Sequence, residues 1–503
     1  MASAVTEAPL AAPVSNSVEP DPALVALNRF GLGAKPGSDL GKIGKDARNY
    51  LKAELKQQDI ALVSVDERTN AGLLDSTAAI EASMAAAMER KTARDERAAT
   101  AMQPMAMDKP ADPAQAKPDA AKPDAKPKPA VQPVEADIYR AEAQARFDKA
   151  LGAEAGFVER LVGFWSNHFC ISVAKAPIVR ASAGAFEREA IRPFVLGRFA
   201  DMLLAVEHHP AMLFYLDNQQ SIGPDSRAGK RRGRGLNENL AREIMELHTL
   251  GVGSGYSQAD VTSFAGMLTG WTMAGREGRL GEPGTFVFNA NAHQPGQAVL
   301  LGKTYPDGGM GQAEAALNDI AGQPATAQHI AAKLARHFIA DDPPPAAVAR
   351  LARVFAKTDG DLRALAVTLI DMPETWSTPL AKLRSPFDYM MALRRAVGAS
   401  TGNEPQRTLH WLMALGQPLW EPPGPNGFPD SSDAWASAEG MKTRLDIAWQ
   451  AAKQADDTGN PNEMLASLIG PSVSDETRVA ISRAESKQQG LALLLMAPEF
   501  QRR

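Results

Sequence analysis

Near the middle of the chain runs the segment Asn237-Glu-Asn-Leu-Ala-Arg-Glu-Ile-Met-Glu-Leu-His-Thr-Leu-Gly251. Asn237 is of the residue type that caps helix N-termini, and Gly251 is of the type that ends helices. Between them, Leu240, Ile244 and Leu247 recur at spacings of three and four, which places them along one side of an α-helix. The segment therefore predicts an amphipathic helix whose apolar stripe packs against a core.

The same helical period recurs through most of the sequence. Apolar residues at this spacing, separated by Gly, Pro and Asp, mark residues 138–169, 185–205, 259–268, 313–320, 326–339, 346–357, 362–372 and 389–397. Strand patterns are scarce, and the best pair is Phe286-Val-Phe with Ala298-Val-Leu-Leu, joined by a long loop. We therefore predict a mainly α fold, with a large multi-helix body and one small β-hairpin.

Residues 101–135 differ from the rest in composition. They hold eight prolines among Ala, Lys and Asp, and no aromatic residue occurs between Tyr50 and Tyr139. This composition is typical of a solvated, disordered linker, with a docking segment as the alternative. We divide the chain into a flexible tail (1–20), an N-terminal helical segment (21–99), a disordered Ala/Lys/Pro-rich linker (100–136), a central helical core (137–400) and a C-terminal helical region packed on that core (401–503).

Composition limits the classes of function. The 503 residues include 54 Lys and Arg and 59 Asp and Glu, and the resulting net charge of −5 does not favour nucleic acid as a partner. The single cysteine, Cys170, rules out an internal disulfide and a structural zinc finger. No apolar run is long enough to span a membrane, and the first residues show no export signal, so a cytoplasmic location is the default expectation.

Two carboxylates of the central helix are the first candidates for chemistry. At about 100° per residue, Asn239, Glu243 and Glu246 fall on one polar face beside the apolar stripe. Such carboxylates can bind a divalent cation or act as general acid and base, while Asn239 and Arg242 would orient a substrate. The alternative is a solvated ladder of ion pairs, because Glu238, Arg242 and Glu246 follow one another at intervals of four.

Histidines on other segments could approach the same site. In Phe164-Trp-Ser-Asn-His-Phe169, Asn167 and His168 lie among three aromatic residues. His168 is a candidate general base, or else a structural histidine bonded to a backbone carbonyl. His293 lies on a long polar loop with no core role to explain it. His248 comes two residues after Glu246, so the two side chains point in different directions from the helix.

Three further features have both a functional and a structural interpretation. Trp271, which follows a glycine, could form the floor of a pocket or fill the core. His337 has apolar neighbours and is expected in core or subunit packing. The loop over residues 225–235 places five cationic side chains before the central helix, which suits a phosphate, sulfate or carboxylate, unless it is a flexible solvated loop. No nucleotide-binding motif occurs, and the cofactor is unknown, with a divalent cation as the one candidate.

The order of motifs resembles a known family. The motifs are Leu27-Asn-Arg-Phe-Gly-Leu-Gly, the Phe164 segment, His209-Pro-Ala-Met-Leu-Phe-Tyr-Leu-Asp-Asn218, the Asn237 segment, Leu268-Thr-Gly-Trp-Thr and the His293 loop. Together they resemble the bacterial domain of unknown function 1800 family, over about residues 23–500 without the linker. The resemblance implies a partner similar to alkaline-phosphatase-like and sulfatase-like hydrolases, which is commonly encoded beside such proteins and often carries a twin-arginine signal. It also implies a route to the periplasm, by export of the folded chain with that partner.

Two hypotheses of function follow from these features. In the first, this uncharacterised family member is an enzyme, with a hydrolase as the leading class, that acts on an envelope polymer or anionic substrate through a polar pocket. The expected catalytic residues are Glu243, Glu246, His168 and His293, and the expected substrate-binding residues are Asn167, Asn239, Arg242, His248 and Trp271. In the second, the chain is a non-catalytic helical scaffold or chaperone-like partner of the phosphatase- or sulfatase-like protein.

Overall fold

The computed structural model describes residues 21–63, 73–101, 133–232, 235–398, 405–455, 459–470 and 473–503. Within these ranges the fold is mainly helical with two small antiparallel sheets, which confirms the predicted fold class. The predicted tail and most of the predicted linker lie outside the described residues, and the first helix after the linker already begins at Val134. Among the described residues, no helix is long and apolar enough to cross a membrane.

The first helices are tied to the middle of the chain by a buried arginine. They are α1 (Pro22–Leu24), α2 (Leu40–Lys45), α3 (Ala47–Leu55) and α4 (Ser76–Ala101). A π-helical segment, Val25–Phe30, continues α1 and carries Arg29, whose side chain is buried. The Arg29 guanidinium donates to the backbone oxygens of Thr375, Thr378 and Pro379 at 2.6, 2.9 and 2.7 Å, so the N-terminal part is joined to a loop more than 300 residues away.

The rest of the body is a series of packed helices joined by short loops. The central helices are α5 (Val134–Gly152), α6 (Phe157–His168), α7 (Pro177–Phe186), α8 (Phe199–His208), α9 (Pro210–Tyr215), α10 (Arg227–Arg232), α11 (Asn239–Glu243), α12 (Gln258–Leu268), α13 (Met310–Ala321), α14 (Pro324–Phe338), α15 (Pro345–Lys357), α16 (Leu362–Asp371), α17 (Glu374–Ser377) and α18 (Pro386–Ala396). The C-terminal helices are α19 (Gln406–Ala414), α20 (Ala438–Gln454), α21 (Pro461–Leu468), α22 (Asp475–Ser482), α23 (Lys487–Met496) and α24 (Pro498–Gln501). Further π-helical segments are Glu187–Ile191 and Ile244–His248, and short 3₁₀ turns cover Arg192–Phe194, Asn218–Gln220 and Asp433–Trp435.

The predicted strand pairing is wrong, although both predicted strands exist. The strands are β1 (Trp271–Met273), β2 (Phe286–Phe288), β3 (Ala298–Leu300) and β4 (Lys303–Tyr305). Phe286–Phe288 pairs with the preceding strand β1, and Ala298–Leu300 pairs with the following strand β4 across a tight turn at Leu301 and Gly302. The partner strands β1 and β4 were not predicted from the sequence.

The central segment is not one continuous α-helix. Its α-helical part, α11, ends at Glu243, and Ile244–His248 follows as a π-helix, in which each N–H bonds one residue further back than in an α-helix. The two predicted ends are confirmed, because Asn237 Oδ1 accepts from the backbone N of Asn239 at 2.9 Å and Gly251 adopts a left-handed φ of 90°. The uniform 100° rotation per residue assumed for this segment therefore fails after Glu243.

One large hydrophobic core joins most of these parts, while α4 packs through a second, small cluster of Ala79, Ile138 and Ala181. The large core extends from Val25 to Phe500 along the sequence and includes apolar side chains of α6, α14, α18 and α23. The C-terminal helices thus contribute to the same core as the central helices, while the proposed domain boundaries stay a prediction. Each large apolar side chain buried in this core contributes about 1.5–3 kcal/mol to the free energy of folding. The packed core therefore fixes the positions of the polar groups described below.

Candidate functional site

A polar cavity of about 230 Å³ lies between α6, α14, α18 and the Pro/Gly-rich loop over residues 421–430. We call it the central cavity. Its charged and imidazole lining residues are Arg146, Glu159, Arg160, His168, Lys333, Arg336, His337, Asp388, Asp430 and Arg503. Since these residues come from segments far apart in sequence, the fold brings polar groups together around a shared hollow.

Asn167 fastens the Pro/Gly-rich loop to α6. Its Nδ2 donates to the backbone O of Phe428 at 2.9 Å, and its Oδ1 accepts from the backbone N of the same residue at 2.8 Å. Gly427 makes this approach possible, because a Cβ there would lie 2.4 Å from the backbone O of Asn167. Asn167 lines the central cavity, but both polar atoms of its amide are already engaged by the loop, and its role in substrate binding stays a prediction.

His168 occupies the last position of α6 and lines the same cavity. Its Nε2 lies 3.0 Å from the backbone O of His248, and because a carbonyl oxygen only accepts, Nε2 carries the proton. Nδ1 is then a free lone pair, and it has no hydrogen-bond partner among the described residues. Burial holds the pKa of His168 well below 6.5, with the charge of Lys333 acting in the same direction, so the ring is neutral at pH 7.

Lys333 is the second unpartnered group of the cavity. It lies on α14, is half-buried, and makes no hydrogen bond or ion pair with any described residue. Burial lowers the pKa of Lys333 to about 8, although Cys170 and Asp430 act in the opposite direction. A cation without an internal counter-ion costs free energy of folding, and such groups occur more often at functional sites than elsewhere.

His337 packs on the ring of Phe164 at 5.4 Å, as its apolar neighbours predict, but it also belongs to a polar network that the prediction did not include. Its Nδ1 lies 2.8 Å from Asp430 Oδ2, and its Nε2 lies 2.9 Å from Arg160 Nη2. Since arginine only donates, Nε2 accepts and Nδ1 donates to the carboxylate. Burial lowers the pKa of His337 to about 4, so both ring nitrogens are occupied in a neutral imidazole.

Asp388 forms the base of this polar network. Arg160 Nη1 donates to Asp388 Oδ2 at 2.9 Å, and Arg503 Nε lies 3.1 Å from the same oxygen. Burial would raise the pKa of Asp388, but the charges of Arg160 and Arg503 lower it to about 2. Asp388 is therefore neutralised by Arg160 and Arg503. Asp430 has Lys382 at 3.3 Å and Arg503 at 3.6 Å as its cationic partners, whereas Lys333 has no such counter-ion in the described part of the chain.

The central helix lies outside this cavity, and its polar face contains the ion-pair ladder. Arg242 lies 3.3 Å from Glu238 Oε2 and 3.3 Å from Glu246 Oε1, and all three side chains are partly exposed. Each such pair contributes about 0.3–0.5 kcal/mol. Glu243 differs, since it has no partner among the described residues and its pKa is raised by burial. Asn239 is exposed.

His248 contacts the cavity only through its main chain. Its backbone O accepts from His168, while its Nδ1 lies 2.8 Å from Glu207 Oε1. The side chains of His248 and Glu207 are fully buried, so the pair belongs to the interior behind the cavity. Glu207, on α8, was not recognisable from sequence, because its partner is 41 residues away.

The remaining predicted site residues lie near the two small sheets. His293 is buried, and its Nδ1 lies 2.9 Å from the backbone O of Thr269, while its Nε2 has no partner among the described residues. Trp271 is fully buried between His208 and Phe286, at centroid distances of 4.3 and 5.7 Å, so its ring fills the core. Neither residue lines the central cavity, and the roles assigned to them stay predictions.

Sequence reasoning missed the residues of α14 and of the Pro/Gly-rich loop. Lys333 and His337 are four residues apart and therefore lie on one face of α14, a helix that was predicted correctly. This spacing could have indicated that the two side chains share a site. No local signal pointed to Asp430, whose partner His337 is 93 residues away.

The cysteine holds the same loop in place and is not set up for chemistry. Cys170 Sγ donates to the backbone O of Pro425 at 3.2 Å, and burial raises the pKa of the thiol to about 12. A thiol that stays protonated is a poor nucleophile. The described residues also contain no group of three or more His, Cys, Asp or Glu side chains arranged to hold a metal ion.

Comparison with known proteins gives one match. A family model described as protein of unknown function (DUF1800) matches residues 25–502. No similar protein was found among curated proteins or among solved structures.

Proposed function

The chain belongs to the DUF1800 family, and we propose that it is an enzyme that binds an anionic substrate in the central cavity and uses His168 as a general base. One observation carries the proposal. His168 and Lys333 line the same cavity, and neither the Nδ1 of His168 nor the Nζ of Lys333 has a hydrogen-bond partner among the described residues. A proton acceptor beside an unpaired cation is the combination that acid–base catalysis on an anion requires.

The charge balance of the cavity supports an anionic substrate. Asp388 and Asp430 are already bound by Arg160, Arg503 and His337, whereas Lys333 keeps an unpaired ammonium at pH 7. A carboxylate, phosphate or sulfate in the cavity would pair with that ammonium. The volume of about 230 Å³ suits one small unit, such as a single acidic sugar or amino acid at the end or within a polymer.

The tautomer of His168 supports its role as the base. Because the backbone O of His248 holds the proton on Nε2, Nδ1 is fixed as the acceptor. The lowered pKa keeps the Nδ1 lone pair unprotonated at neutral pH, where it can accept a proton from a water molecule or a substrate hydroxyl, but it also makes the imidazole a weaker base than a free histidine. Hydrolysis is the leading reaction class, in which that water attacks the bond beside the anionic group.

The proposal is tested with chromogenic substrates that differ in their anionic group. Nitrophenyl phosphate, nitrophenyl sulfate and nitrophenyl uronides should be compared with uncharged nitrophenyl glycosides and acetate. We expect turnover of an anionic member, a loss of about 100-fold or more in kcat for His168→Gln, and a rise in KM for Lys333→Met. Arg353→Gln, on the exposed face of α15, is the matched control and should be unchanged. Equal activity of His168→Gln and the control would refute the proposed base.

A second candidate function is the non-catalytic scaffold for a phosphatase- or sulfatase-like partner. It is favoured by the internal pairing of Arg242 with Glu238 and Glu246, in which each of these three charged side chains already has a partner on the same helix. Co-purification with the partner, unaffected by His168→Gln and Lys333→Met and without turnover in any assay, would support this role. The envelope polymer belongs to the enzyme proposal alone, and a periplasmic location, reached by export with the partner, is compatible with either proposal.

A further inference from the structure

A second, larger cavity has a strongly basic lining and shares no residue with the central cavity. It has a volume of about 820 Å³ and is bounded by α10, the turn Asn218–Gln220, the hairpin of β1 and β2, and residues 289–292. Four arginines line it, namely Arg227, Arg231, Arg276 and Arg279, against the single acidic residue Glu277. We call this cavity the arginine groove.

Most of this positive charge has no internal counter-ion. Glu277 lies 2.7 Å from Arg279 and so neutralises one of the four arginines. Arg227 and Arg231 make no ion pair or hydrogen bond with any described residue, and Arg276 contacts only the sulfur of Met88. Since Arg227 and Arg231 are four residues apart on α10, both guanidinium groups project from one side of that helix.

The basic wall is fixed to the opposite wall by main-chain hydrogen bonds. The N of Ala228 donates to the O of Asn291, and the N of Gly223 donates to the O of Ala292, both at 2.8 Å. Gly229 permits the close packing, because a Cβ there would lie 2.2 Å from the O of Gly223. The segment predicted as a loop over residues 225–235 is helical over Arg227–Arg232, and these main-chain contacts fix the backbone that carries Arg227 and Arg231 beside the groove.

Amide side chains supply the rest of the recognition surface. Gln219, Asn289 and Asn291 line the groove, and the buried Oε1 of Gln219 has no hydrogen-bond partner among the described residues. Amides offer both donors and acceptors, which suits hydroxyl groups, whereas guanidinium groups suit sulfate, phosphate and carboxylate. No aromatic ring is among the described residues that line the groove, so it offers no surface on which nucleic-acid bases would stack.

We propose that the arginine groove binds an acidic oligosaccharide, with its sulfate or carboxylate groups on Arg227, Arg231 and Arg276 and its hydroxyls on the amides. Guanidinium groups pair with sulfates and with carboxylates. The ligand is therefore defined as a sugar chain that carries either of these anionic groups. The groove shares no lining residue with the central cavity, and the proposal does not depend on the proposed enzymatic activity.

Calorimetric titration of the full chain tests this assignment. The probes are a heparin-derived tetrasaccharide, which carries sulfates, tetragalacturonate, which carries only carboxylates, and the neutral maltotetraose. We expect at least one acidic probe to bind, the neutral one not to bind, and affinity to fall as salt is raised. The tighter of the two acidic probes identifies the preferred acidic group.

Matched variants separate the groove from general surface charge. Arg227→Gln with Arg231→Gln should weaken binding of the acidic probe by about tenfold or more, since two charge-assisted contacts are lost. Arg353→Gln with Lys357→Gln removes the same charge at the same four-residue spacing on the exposed face of α15, and should change affinity by less than about twofold. If the first pair fails to fold, Arg276→Gln, on the opposite wall, replaces it.

Three results would overturn the proposal. They are equal losses of affinity in the two variant pairs, saturation of the site by inorganic sulfate at the concentration of the sugar probe, and tighter binding of a dodecathymidine strand than of either acidic sugar.

Discussion

The imidazole of His168 is held by the main chain of His248, through a hydrogen bond of 3.0 Å from Nε2 to the carbonyl oxygen. The two histidines thus belong to one unit, although only one of them lines the central cavity. Glu207 completes the unit by binding His248 Nδ1. Substitutions at His248 and Glu207 should therefore act on the cavity through the orientation of His168.

Replacing Lys333 by Met should stabilise the protein. The lowered pKa of Lys333 means that the folded state binds its proton less tightly than the unfolded state, so the charged side chain costs stability below about pH 8. We expect the free energy of unfolding at pH 7 to rise by about 1–2 kcal/mol, since Met keeps the volume without the charge. Urea denaturation at pH 7 and at pH 10 measures this, and the gain should shrink at pH 10. A loss of stability at pH 7 would contradict the absence of a partner for Lys333.

Glu243→Gln should also stabilise the protein, and only at neutral pH. Because burial raises the pKa of Glu243, the folded state binds the proton more tightly, so ionisation costs stability above the folded pKa and costs nothing below about pH 4.5. Urea denaturation at pH 7 and pH 4 should give a gain for the variant at pH 7 that vanishes at pH 4. Glu246→Gln is the matched control, because it breaks the ion pair with Arg242 and should lower stability by less than about 1 kcal/mol.

Glu207→Ala should destabilise the fold strongly. It leaves the buried Nδ1 of His248 without its partner at 2.8 Å, and orphaning one member of a buried pair costs about 2–4 kcal/mol. Glu207→Gln keeps an acceptor oxygen and should cost less than half as much. Chemical denaturation with circular dichroism measures both values, and equal costs for the two variants would show that the hydrogen bond contributes little.

His208 should make the protein sensitive to mild acid. It stacks on Phe286 at 4.3 Å and burial lowers its pKa to about 4, so between pH 6.5 and pH 4 the unfolded chain binds a proton that the folded chain does not. Stability contributed by the neutral ring is present above pH 6.5 and is lost as the pH falls towards 4. Relative to wild type, His208→Phe should gain about 1.4 kcal/mol per pH unit through this window. His410→Phe, at an exposed position, should leave the slope unchanged.

The sequence predicted the features that depend on residues close together in the chain and missed the contacts between residues far apart in it. The helix carrying Asn167 and His168, its aromatic surroundings and the ends of the central segment follow from spacing and capping chemistry, and they are confirmed. The pairing of His337 with Asp430 and the closure of the cavity by Arg503 connect residues that share no local pattern. The sequence predicted the ion-pair ladder around Arg242 as an alternative to a functional site. Choosing between the two requires knowing how exposed these side chains are, and the spacing of residues along the sequence does not give exposure.

The π-helical turn Ile244–His248 has a consequence for how this region tolerates insertions and deletions. Its i→i+5 bonding accommodates one residue more than an α-helical turn of the same geometry would. Deleting a single amino acid there would give an α-helical turn and leave the flanking residues in phase, whereas inserting one would rotate the His248 carbonyl by about 100° away from the imidazole that it fixes. An insertion that surface loops absorb without harm would therefore misalign the proposed base without touching any side chain in the cavity.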